Sequence, residues 1–324
     1  MQSLPPAPER AAGAHDAAAM GALREWWRET GRGLADRAAQ AAWALALALM
    51  ALAAAAMVLA APVLMVGSVV SMIQARETRQ IEAAQADALL QARMAELEGV
   101  RFIDRFDSVD PYRWRVSDGW DNGAWMANDW RASQIDAGAS GLTITLDRHP
   151  DGGDKLFASG EMQTHEEYQY GYFETRMRVP RGEGLVTGFF TYTQPNGRPT
   201  WEEIDIEILG RDTRTMEVTY HLHGRSRMTS VDLGFDAAED FHTYGFEWTP
   251  EAIRWYVDNR LVHEVNGPSV REMRRPQRFY LHLWSSTELF RWVGHINPYE
   301  APWRLAVACV AQAETYRGRA LCAD

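Results

Sequence analysis

The chain has 324 residues, enough for two domains of average size or for one large β domain with additional segments. It carries 44 acidic and 33 basic residues, for a net charge of −11, which argues against a nucleic-acid partner because a phosphate backbone requires a basic face. Two cysteines, Cys309 and Cys322, are too few for a disulfide framework, although they could form one bridge in a domain outside the cytoplasm.

The N-terminal part of the chain contains a long uncharged run. Residues 1–40 are rich in Ala, Pro and mixed charges, which predicts a disordered cytoplasmic tail, with a short amphipathic helix over residues 21–39 as the alternative. Residues 41–73 contain no charged side chain and exceed the ~20 residues that a membrane-spanning helix needs. The run is longer than the roughly 7–15 apolar residues of a signal peptide and starts further from the N-terminus. We therefore predict a single transmembrane helix, with cleavage after the Ala-rich run left open.

Arginines flank the apolar run, and more of them precede it than follow it. They are Arg24, Arg28, Arg32 and Arg37 before the run, and Arg76 and Arg79 after it. Because positively charged flanks stay in the cytoplasm, this bias places the N-terminus there. The predicted location is the inner membrane, crossed once, with the bulk of the chain in the periplasm or outside the cell.

Residues 74–99 are predicted to form a helical stalk. The stretch from Glu77 to Glu98 is rich in Ala, Gln, Glu, Leu, Met and Arg and lacks Gly and Pro, and Gly99 ends it. Four residues fall roughly on one face of this helix: Ile81, Ala84, Ala88 and Ala95. A coiled-coil dimer along this face is the weaker alternative, because a seam made mostly of Ala buries little surface.

Residues 100–324 have the pattern of a β domain. Short runs of alternating apolar, Thr and aromatic residues recur along them. The runs are residues 142–146, 170–179, 188–193, 216–220, 243–248, 253–257 and 278–284. Turn signals separate several of them, at residues 151–153, 195–197 and 258–259. Many short strands without helical crossovers predict an all-β sandwich.

A further strand, residues 201–210, carries the candidate catalytic residues. Glu203, Asp205 and Glu207 alternate with three isoleucines, so a strand places the carboxylates on one face and the isoleucines on the other. The Cα atoms of Glu203 and Glu207 would lie about 13 Å apart. Long side chains that lean together can approach the separation of about 5–5.5 Å that a retaining glycosidase needs for its nucleophile and its acid/base. Asp205 between them can hold their pKa values apart.

Two other interpretations account for the same alternation. A solvent-exposed strand face can carry three acids without a catalytic role. Carboxylates at i, i+2 and i+4 also resemble a calcium loop. Calcium loops favour Gly and Asn, however, whereas the isoleucines at the alternate positions indicate a strand.

The stretch Trp201-Glu-Glu-Ile-Asp-Ile-Glu-Ile-Leu-Gly210 resembles the catalytic motif of glycoside hydrolase family 16, close to its bacterial lichenase (β-1,3-1,4-glucanase) branch. The resemblance extends from about Phe102 to Tyr299 through further blocks in the family's order. These blocks are residues 159–163, 170–174, 188–193, 233–236, 241–250, 253–258 and 283–284. Because ordered blocks are far more specific than one motif, the resemblance favours the catalytic interpretation of the three carboxylates.

The resemblance implies a fold, a reaction and a set of roles. The fold would be a concanavalin A-like jelly roll with a concave cleft, and the reaction would be retaining hydrolysis of β-glucan-like polymers without a cofactor. Glu203 would be the nucleophile, Glu207 the acid/base and Asp205 the assisting residue. By matching position, four residues would line the sugar subsites: Glu161, Tyr192, Trp201 and Trp284. The two tryptophans would be stacking platforms, with core packing as the alternative.

The chain departs from the family at positions that frame the cleft. Family glucanases commonly have Arg where this chain has Gln163, and Asn where it has His282. An Asn-Tyr-Tyr type sequence is replaced by the stretch that contains His221 and His223. These two histidines alternate like a metal pair but lack an evident third ligand. We therefore predict no metal, and we expect His221 and His282 to contact sugar, with a structural role as the alternative.

The family's structural calcium is not expected in this chain. In the lichenases an Asp in the C-terminal strand helps to bind it, and the matching residues 302–309 contain no Asp.

The predicted function is that of a membrane-anchored, outward-facing endo-β-glycanase. Its substrate would be a β-glucan or a glucan-containing exopolysaccharide, the latter because the arrangement is similar to that of enzymes that trim exopolysaccharide during export. A transglycosylase that uses the same site is the first alternative. A glycan-binding lectin domain on a stalk is the second, although lectins of this kind have typically lost the carboxylates.

Overall fold

The computed structural model describes residues 15–149, 153–193 and 201–323, and it divides into two compact units, one ending at Ala95 and one beginning at Glu96. The helices are α1 (His15–Leu97), α2 (Pro268–Glu272) and α3 (Phe290–Val293), with 3₁₀ turns at Ala132–Gln134 and Pro298–Glu300. The strands are β1 (Val100–Asp104), β2 (Trp114–Val116), β3 (Asn128–Trp130), β4 (Ile135–Gly138), β5 (Gly141–Arg148), β6 (Phe157–Ser159), β7 (Glu161–Thr164), β8 (Gly171–Arg178), β9 (Leu185–Tyr192), β10 (Glu202–Leu209), β11 (Thr215–Leu222), β12 (Arg225–Asp232), β13 (His242–Trp248), β14 (Ala252–Val257), β15 (Arg260–Asn266), β16 (Arg278–Ser285) and β17 (Trp303–Ala313).

The N-terminal unit is built on α1, a continuous helix of 83 residues that includes the predicted span and most of the predicted stalk. Residues 15–40 also belong to α1, where the sequence predicts a disordered tail with a helix over residues 21–39 as the alternative. Composition favours the helix, because this stretch is rich in Ala and Arg and contains no Pro. Pro62 lies inside α1 and does not end it. Residues 1–14 lie outside the described residues.

One helix in the described part of the chain is long and apolar enough to cross a membrane. This segment is Asp36–Ala95. Its large apolar side chains are exposed, for example Leu59 and Met65. A helix with this length and composition can serve as a membrane anchor. An N-terminal signal sequence has a similarly apolar composition.

The second unit is a β-sandwich of two sheets, antiparallel throughout the described residues except for the parallel pair β3–β6, which confirms the predicted jelly roll. In the described residues, one sheet has the order β15-β14-β13-β8-β17-β5-β6-β3, with β1 added on β17 and β4 on β5. The other has the order β12-β11-β10-β9-β16-β7-β2. All seven predicted runs are strands, with ends shifted by up to three residues.

The core lies between the two sheets, and β10 contributes one full face to it. Ile204, Ile206 and Ile208 are fully buried in the main hydrophobic cluster. Trp255 of the opposite sheet is also buried, and its indole N–H donates to the backbone carbonyl of Asp205 at 3.1 Å. The packing therefore fixes which face of β10 points into the core, and the Trp255 hydrogen bond fixes the position of its backbone at Asp205. The three carboxylates then lie on the opposite face.

The turn between β14 and β15 has the predicted chemistry. Asp258 and Asn259 have φ values of 46° and 65°, and positive φ at both central residues is what a type I′ hairpin turn requires. The predicted turn at residues 195–197 lies outside the described residues, as do residues 151 and 152 of the turn at 151–153.

The C-terminal tail is tied back onto the β17 strand. Cys309 and Cys322 form a disulfide, which decides a pairing that the sequence left open. Both cysteines are buried, and the tail packs with Tyr172 and Tyr256. The carboxyl group of buried Glu174 accepts hydrogen bonds at 2.6 Å from the backbone N–H of Cys322 and from the Tyr172 hydroxyl. The tail is thus an integral part of the second unit.

Candidate active site

A cavity of about 610 Å³ opens on the outer face of the seven-stranded sheet, opposite the core face. It is lined by Arg115, Trp120, Asn122, Trp125, Met126, Glu161, Gln163, Phe190, Tyr192, Trp201, Glu203, Glu207, Tyr280, His282 and Trp284. Five of the six residues predicted to bind sugar are among them, and so are the two predicted catalytic glutamates. The sixth, His221, lies on the neighbouring strand β11.

The three carboxylates of β10 share one face, as the alternation predicts. Glu203 and Glu207 line the cavity, and Asp205 lies between them with 4% of its surface exposed. The register with β9 pairs Glu203 with Tyr192 and Glu207 with Gly188. Because residues directly opposite in an antiparallel pair point the same way, β9 continues the floor of the cavity.

Asp205 contacts two of the groups around it. It shares a hydrogen bond with the Glu203 carboxyl. Its Oδ2 atom lies 3.2 Å from Nε2 of His221, which pairs with Glu203 in the β10–β11 register. Burial and the charge of Glu207 raise the pKa of Asp205 well above its usual range. The cluster therefore retains protons that isolated carboxyls would lose at neutral pH.

Glu207 is suited to hold a proton at neutral pH. Its pKa is raised to about 8, first by burial and then by the negative charges of Glu203 and Glu217, while His221 acts in the opposite direction. A carboxyl group with this pKa is protonated at pH 7 and can donate its proton to a leaving oxygen.

Glu203 receives a hydrogen bond that Glu207 lacks. Burial and the charge of Asp205 raise the pKa of Glu203 well above its usual range, whereas the nearby His221 and a hydrogen bond from the Trp201 side chain lower it. The indole N–H of Trp is a donor only, so this contact favours the carboxylate form of Glu203. No such donor contributes to Glu207.

A hydrogen-bonded group of buried side chains forms the wall next to Glu207. Glu161 accepts a hydrogen bond from the Ser117 hydroxyl at 2.7 Å and contacts Nδ1 of His282 at 3.4 Å. The His282 ring stacks on Trp130 at 5.7 Å and packs against Phe190 at 4.7 Å. The ring is therefore held in place, and it occupies the space above Gly188, where a Cβ atom would overlap its Nε2 atom.

Gly188→Ala should consequently destabilise the domain by about 1–3 kcal/mol, because the buried His282 ring has no room to retreat. The measurements are thermal unfolding and activity. Gly138→Ala is the matched control, since a Cβ atom at Gly138 meets nothing within 4 Å. Equal melting temperatures for the two variants would show that the His282 ring yields freely.

The far part of the cavity is aromatic. Trp284 lies at 5.1 Å from Trp125 and at 5.8 Å from Trp292, measured between ring centroids. Trp284 lines the cavity, as expected for a stacking platform, but only 5% of its surface is exposed, as expected for a residue packed in the core. Trp201 is half-buried beside His221, at 6.4 Å between ring centroids.

Two departures from the family pattern have structural consequences. Gln163 is buried, and its Oε1 atom accepts hydrogen bonds from the Tyr280 hydroxyl at 3.0 Å and from Arg278 at 3.3 Å. A guanidinium group from β16 therefore lies next to the position where family glucanases commonly have Arg. His223 follows the end of β11 and has a φ of 52°, so it does not alternate with His221 on a strand.

One group of side chains in the described residues could hold a cation. The donor atoms of Glu203, Asp205 and His221 lie within 4.8 Å of one another. Asp205 already contacts both of the other groups, through a hydrogen bond with Glu203 and at 3.2 Å from His221. The absence of a metal from the reaction centre stays a prediction.

Several residues that line the cavity were not predicted from the sequence. Phe190 and Tyr280 lie two residues from predicted site residues on their strands, so the period of two could have identified them. The segment from Trp120 to Met126 is a loop that the fold brings over the sheet, and no local pattern indicates this. Glu217, which faces Glu207 from β11, was also missed.

Comparison with known proteins identifies the fold family. The profile of Glycosyl hydrolases family 16 matches residues 122–303, more than half of the chain. The chain belongs to this family. A β-glucanase of Bacillus subtilis (strain 168) is 36% identical over 205 residues, which cover 61% of this chain and 81% of the relative. A β-glucanase of Acetivibrio thermocellus is 36% identical over 209 residues, covering 64% and 60%.

Solved structures agree with this family 16 assignment. A prokaryotic β-1,3-1,4-glucanase (lichenase) from a mouse hindgut metagenome superimposes with a TM-score of 0.62 at 31% identity, covering 66% of this chain and 98% of its own. The Bacillus licheniformis β-glucanase gives a TM-score of 0.61 at 32% identity with the same coverage. The family 16 domain is therefore a glycoside hydrolase with a lichenase-like sandwich.

Proposed function

We propose that this protein is an endo-β-glucanase that cleaves internal bonds of a β-glucan polymer with retention of configuration. The observation that carries the proposal is the arrangement of β10, where Glu203 and Glu207 line one cavity and Asp205 lies between them. The family relatives that are β-glucanases support a glucan as substrate.

In the first step of the proposed reaction, the ionised Glu203 carboxylate attacks the anomeric carbon. The bond between that carbon and the leaving oxygen breaks, and Glu207 donates its proton to the leaving oxygen. In the second step Glu207 accepts a proton from water, and the water oxygen attacks the anomeric carbon. The bond to Glu203 then breaks, and the carboxylate is regenerated.

The charges of the cluster fit this cycle. While Glu203 is ionised, its charge helps to keep Glu207 protonated and ready to act as an acid. Once Glu203 is glycosylated that charge is absent, so the pKa of Glu207 falls and Glu207 becomes a carboxylate that can act as a base. Asp205 shares a hydrogen bond with Glu203 and so assists the return of the carboxylate.

We propose that the sugar rings contact Trp201, Tyr192, Glu161, His282 and Trp284, which line the cavity on both sides of the two glutamates. His221 acts through Asp205 instead of lining the cavity. A glucan-containing exopolysaccharide is the proposed natural polymer, on the ground that the enzyme carries a long apolar N-terminal helix.

We further propose that α1 anchors the enzyme in the inner membrane with its catalytic unit outside the cytoplasm. The disulfide between Cys309 and Cys322 supports this side, because disulfides persist in oxidising compartments. An alkaline phosphatase fusion after residue 100 should be active in cells, since that enzyme needs its own disulfides. An inactive fusion that is stably expressed would contradict the topology. Dimer formation through residues 74–99 stays a prediction.

The deciding experiment uses the full chain in detergent with barley β-1,3-1,4-glucan, laminarin and bacterial exopolysaccharides. We expect rapid shortening of at least one polymer, and proton NMR should show that the new reducing ends appear first in the β configuration. Inverted products would rule out retention. If no polymer is shortened or rejoined while binding persists in Glu203→Gln, the lectin alternative replaces the enzyme. Products longer than the substrate would identify the transglycosylase.

A further inference from the structure

Glu217 is an acidic residue that the proposed cycle does not use, yet it faces the catalytic pair. It lies on β11 and is the register partner of Glu207 on β10. Directly opposite residues of an antiparallel pair have Cβ atoms about 4.5–5.5 Å apart and point to the same face. The Glu217 side chain is therefore a neighbour of Glu207 on the cavity side of the sheet.

The carboxylate of Glu217 is held where it is. Its Oε2 atom accepts a hydrogen bond at 2.9 Å from the indole N–H of Trp292, which lies in α3. Trp292 is itself packed against Trp284. An indole N–H is a neutral donor, so it fixes the position of the carboxylate without cancelling its charge.

We propose that Glu217 is a positioning residue for the acid/base, whose anchored negative charge keeps the proton on Glu207 until the leaving group takes it. This inference rests on the proposed role of Glu207. The charges that act on Glu207 then come from two strands, β10 and β11, and Trp292 anchors the charge on β11.

Glu217 is one of several charges around Glu207. On β10 the neighbours are Glu203 and Asp205, and on β11 they are Glu217 and His221. Across Gly188, the same row of the sheet continues to His282 and Glu161. Burial is the largest cause of the raised pKa of Glu207, and Glu203 and Glu217 are the two charges that raise it further, whereas His221 lowers it.

The two charges differ in one respect that matters for the cycle. The charge of Glu203 disappears when that residue is glycosylated, but the charge of Glu217 persists through both steps. During the second step the charge of Glu217 therefore still raises the pKa of Glu207, which makes Glu207 a stronger base than it would be without Glu217. Because proton transfer follows the basicity of the catalyst, Glu217 should assist removal of the proton from water.

The test compares Glu217→Gln with the parent in the pH profile of kcat/KM on barley β-glucan, using the full chain in detergent. The amide oxygen of Gln can still accept the Trp292 hydrogen bond, so this variant removes the charge and keeps the anchor. We expect the alkaline limb to move by about one pH unit toward acid, because a like charge no longer opposes ionisation of Glu207.

Two further variants separate charge from structure. Glu217→Asp restores the charge and should return the alkaline limb toward that of the parent. Trp292→Phe keeps the charge but removes the hydrogen bond that anchors it, so it should move the alkaline limb in the same direction as Glu217→Gln but by less. An unmoved limb in Glu217→Gln, or a larger displacement in Trp292→Phe than in Glu217→Gln, would overturn the proposal.

A direct titration makes the outcome independent of the substrate. The difference infrared spectrum between the protein and its Glu207→Gln variant reports the protonation of Glu207, with and without Glu217→Gln. A lowered titration midpoint in the Glu217→Gln background supports the electrostatic role even if no tested polymer is hydrolysed. An unchanged midpoint refutes it, whereas the absence of any hydrolysis by the parent refutes the proposed function alone.

Discussion

Replacing Glu203 by alanine is expected to lower kcat on a β-glucan by about 10⁴-fold or more, because no glycosyl-enzyme can form without the nucleophile. Added azide should restore turnover of a dinitrophenyl β-oligoglucoside. The anion fits the space that the carboxylate leaves and attacks the anomeric carbon from the same face as Glu203 would. The product is then an α-glycosyl azide, whose configuration is read by proton NMR.

Glu203→Gln is the isosteric control for folding. Burial raises the pKa of Glu203 above its ordinary value of 4.5, so the folded protein disfavours the ionised form of this residue. The free energy of unfolding therefore falls as the pH rises from 4.5 toward the raised pKa of Glu203. The Gln variant lacks this loss, and we expect its melting temperature at pH 8 to be no lower than that of the parent. Full activity in Glu203→Ala, or an azide product of β configuration, would contradict the nucleophile assignment.

Replacing Glu207 by alanine is expected to lower kcat on the polymer by roughly 10²–10⁴-fold, because the leaving oxygen of a sugar needs a proton. The loss on the dinitrophenyl glycoside should be much smaller in the first step, since that leaving group departs without protonation. Azide should now yield a β-glycosyl azide, because Glu203 still forms the intermediate and azide attacks it from the other face. The two alanine variants thus give products of opposite configuration.

The pH profile supplies a second check on Glu207. In the parent protein, activity should fall above about pH 8 as Glu207 loses its proton. The acidic limb should lie above the ordinary carboxyl pKa, because burial and Asp205 raise the pKa of Glu203. Glu207→Ala should lose the alkaline limb on the dinitrophenyl substrate. An alkaline limb that survives in this variant would assign the acid to another residue.

The fold and the catalytic strand could be predicted because both depend on local periodicity. Alternation in the stretch 202–209 has one solution when three isoleucines must be buried, so the face that Glu203 and Glu207 occupy follows from the sequence. The same logic identified the strands that carry Tyr192 and His282. The tail over residues 15–40 was predicted less well, since its charged, Ala-rich composition suits a disordered segment and a helix alike.

The environment of the carboxylates could not be predicted, because it depends on strands and loops far apart in the sequence. The loop from Trp120 to Met126 reaches the cavity only through the order of the strands in the sheet. Trp292 meets Glu217 across 75 positions of the chain, and no local pattern of residues indicates this contact. The contact between His221 and Asp205 likewise depends on the register between β10 and β11.

The sequence by itself determined that this protein has an all-β catalytic domain, an apolar N-terminal helix and three carboxylates on one strand face, because side-chain period and uncharged length are properties of contiguous residues. Only the tertiary structure decided which charges surround each carboxylate. The pKa of Glu207 reaches about 8 because burial combines with Glu203 on its own strand and with Glu217 on the next. Desolvation and Coulomb interactions act through space, and the distances that set them exist only once the sheet has formed.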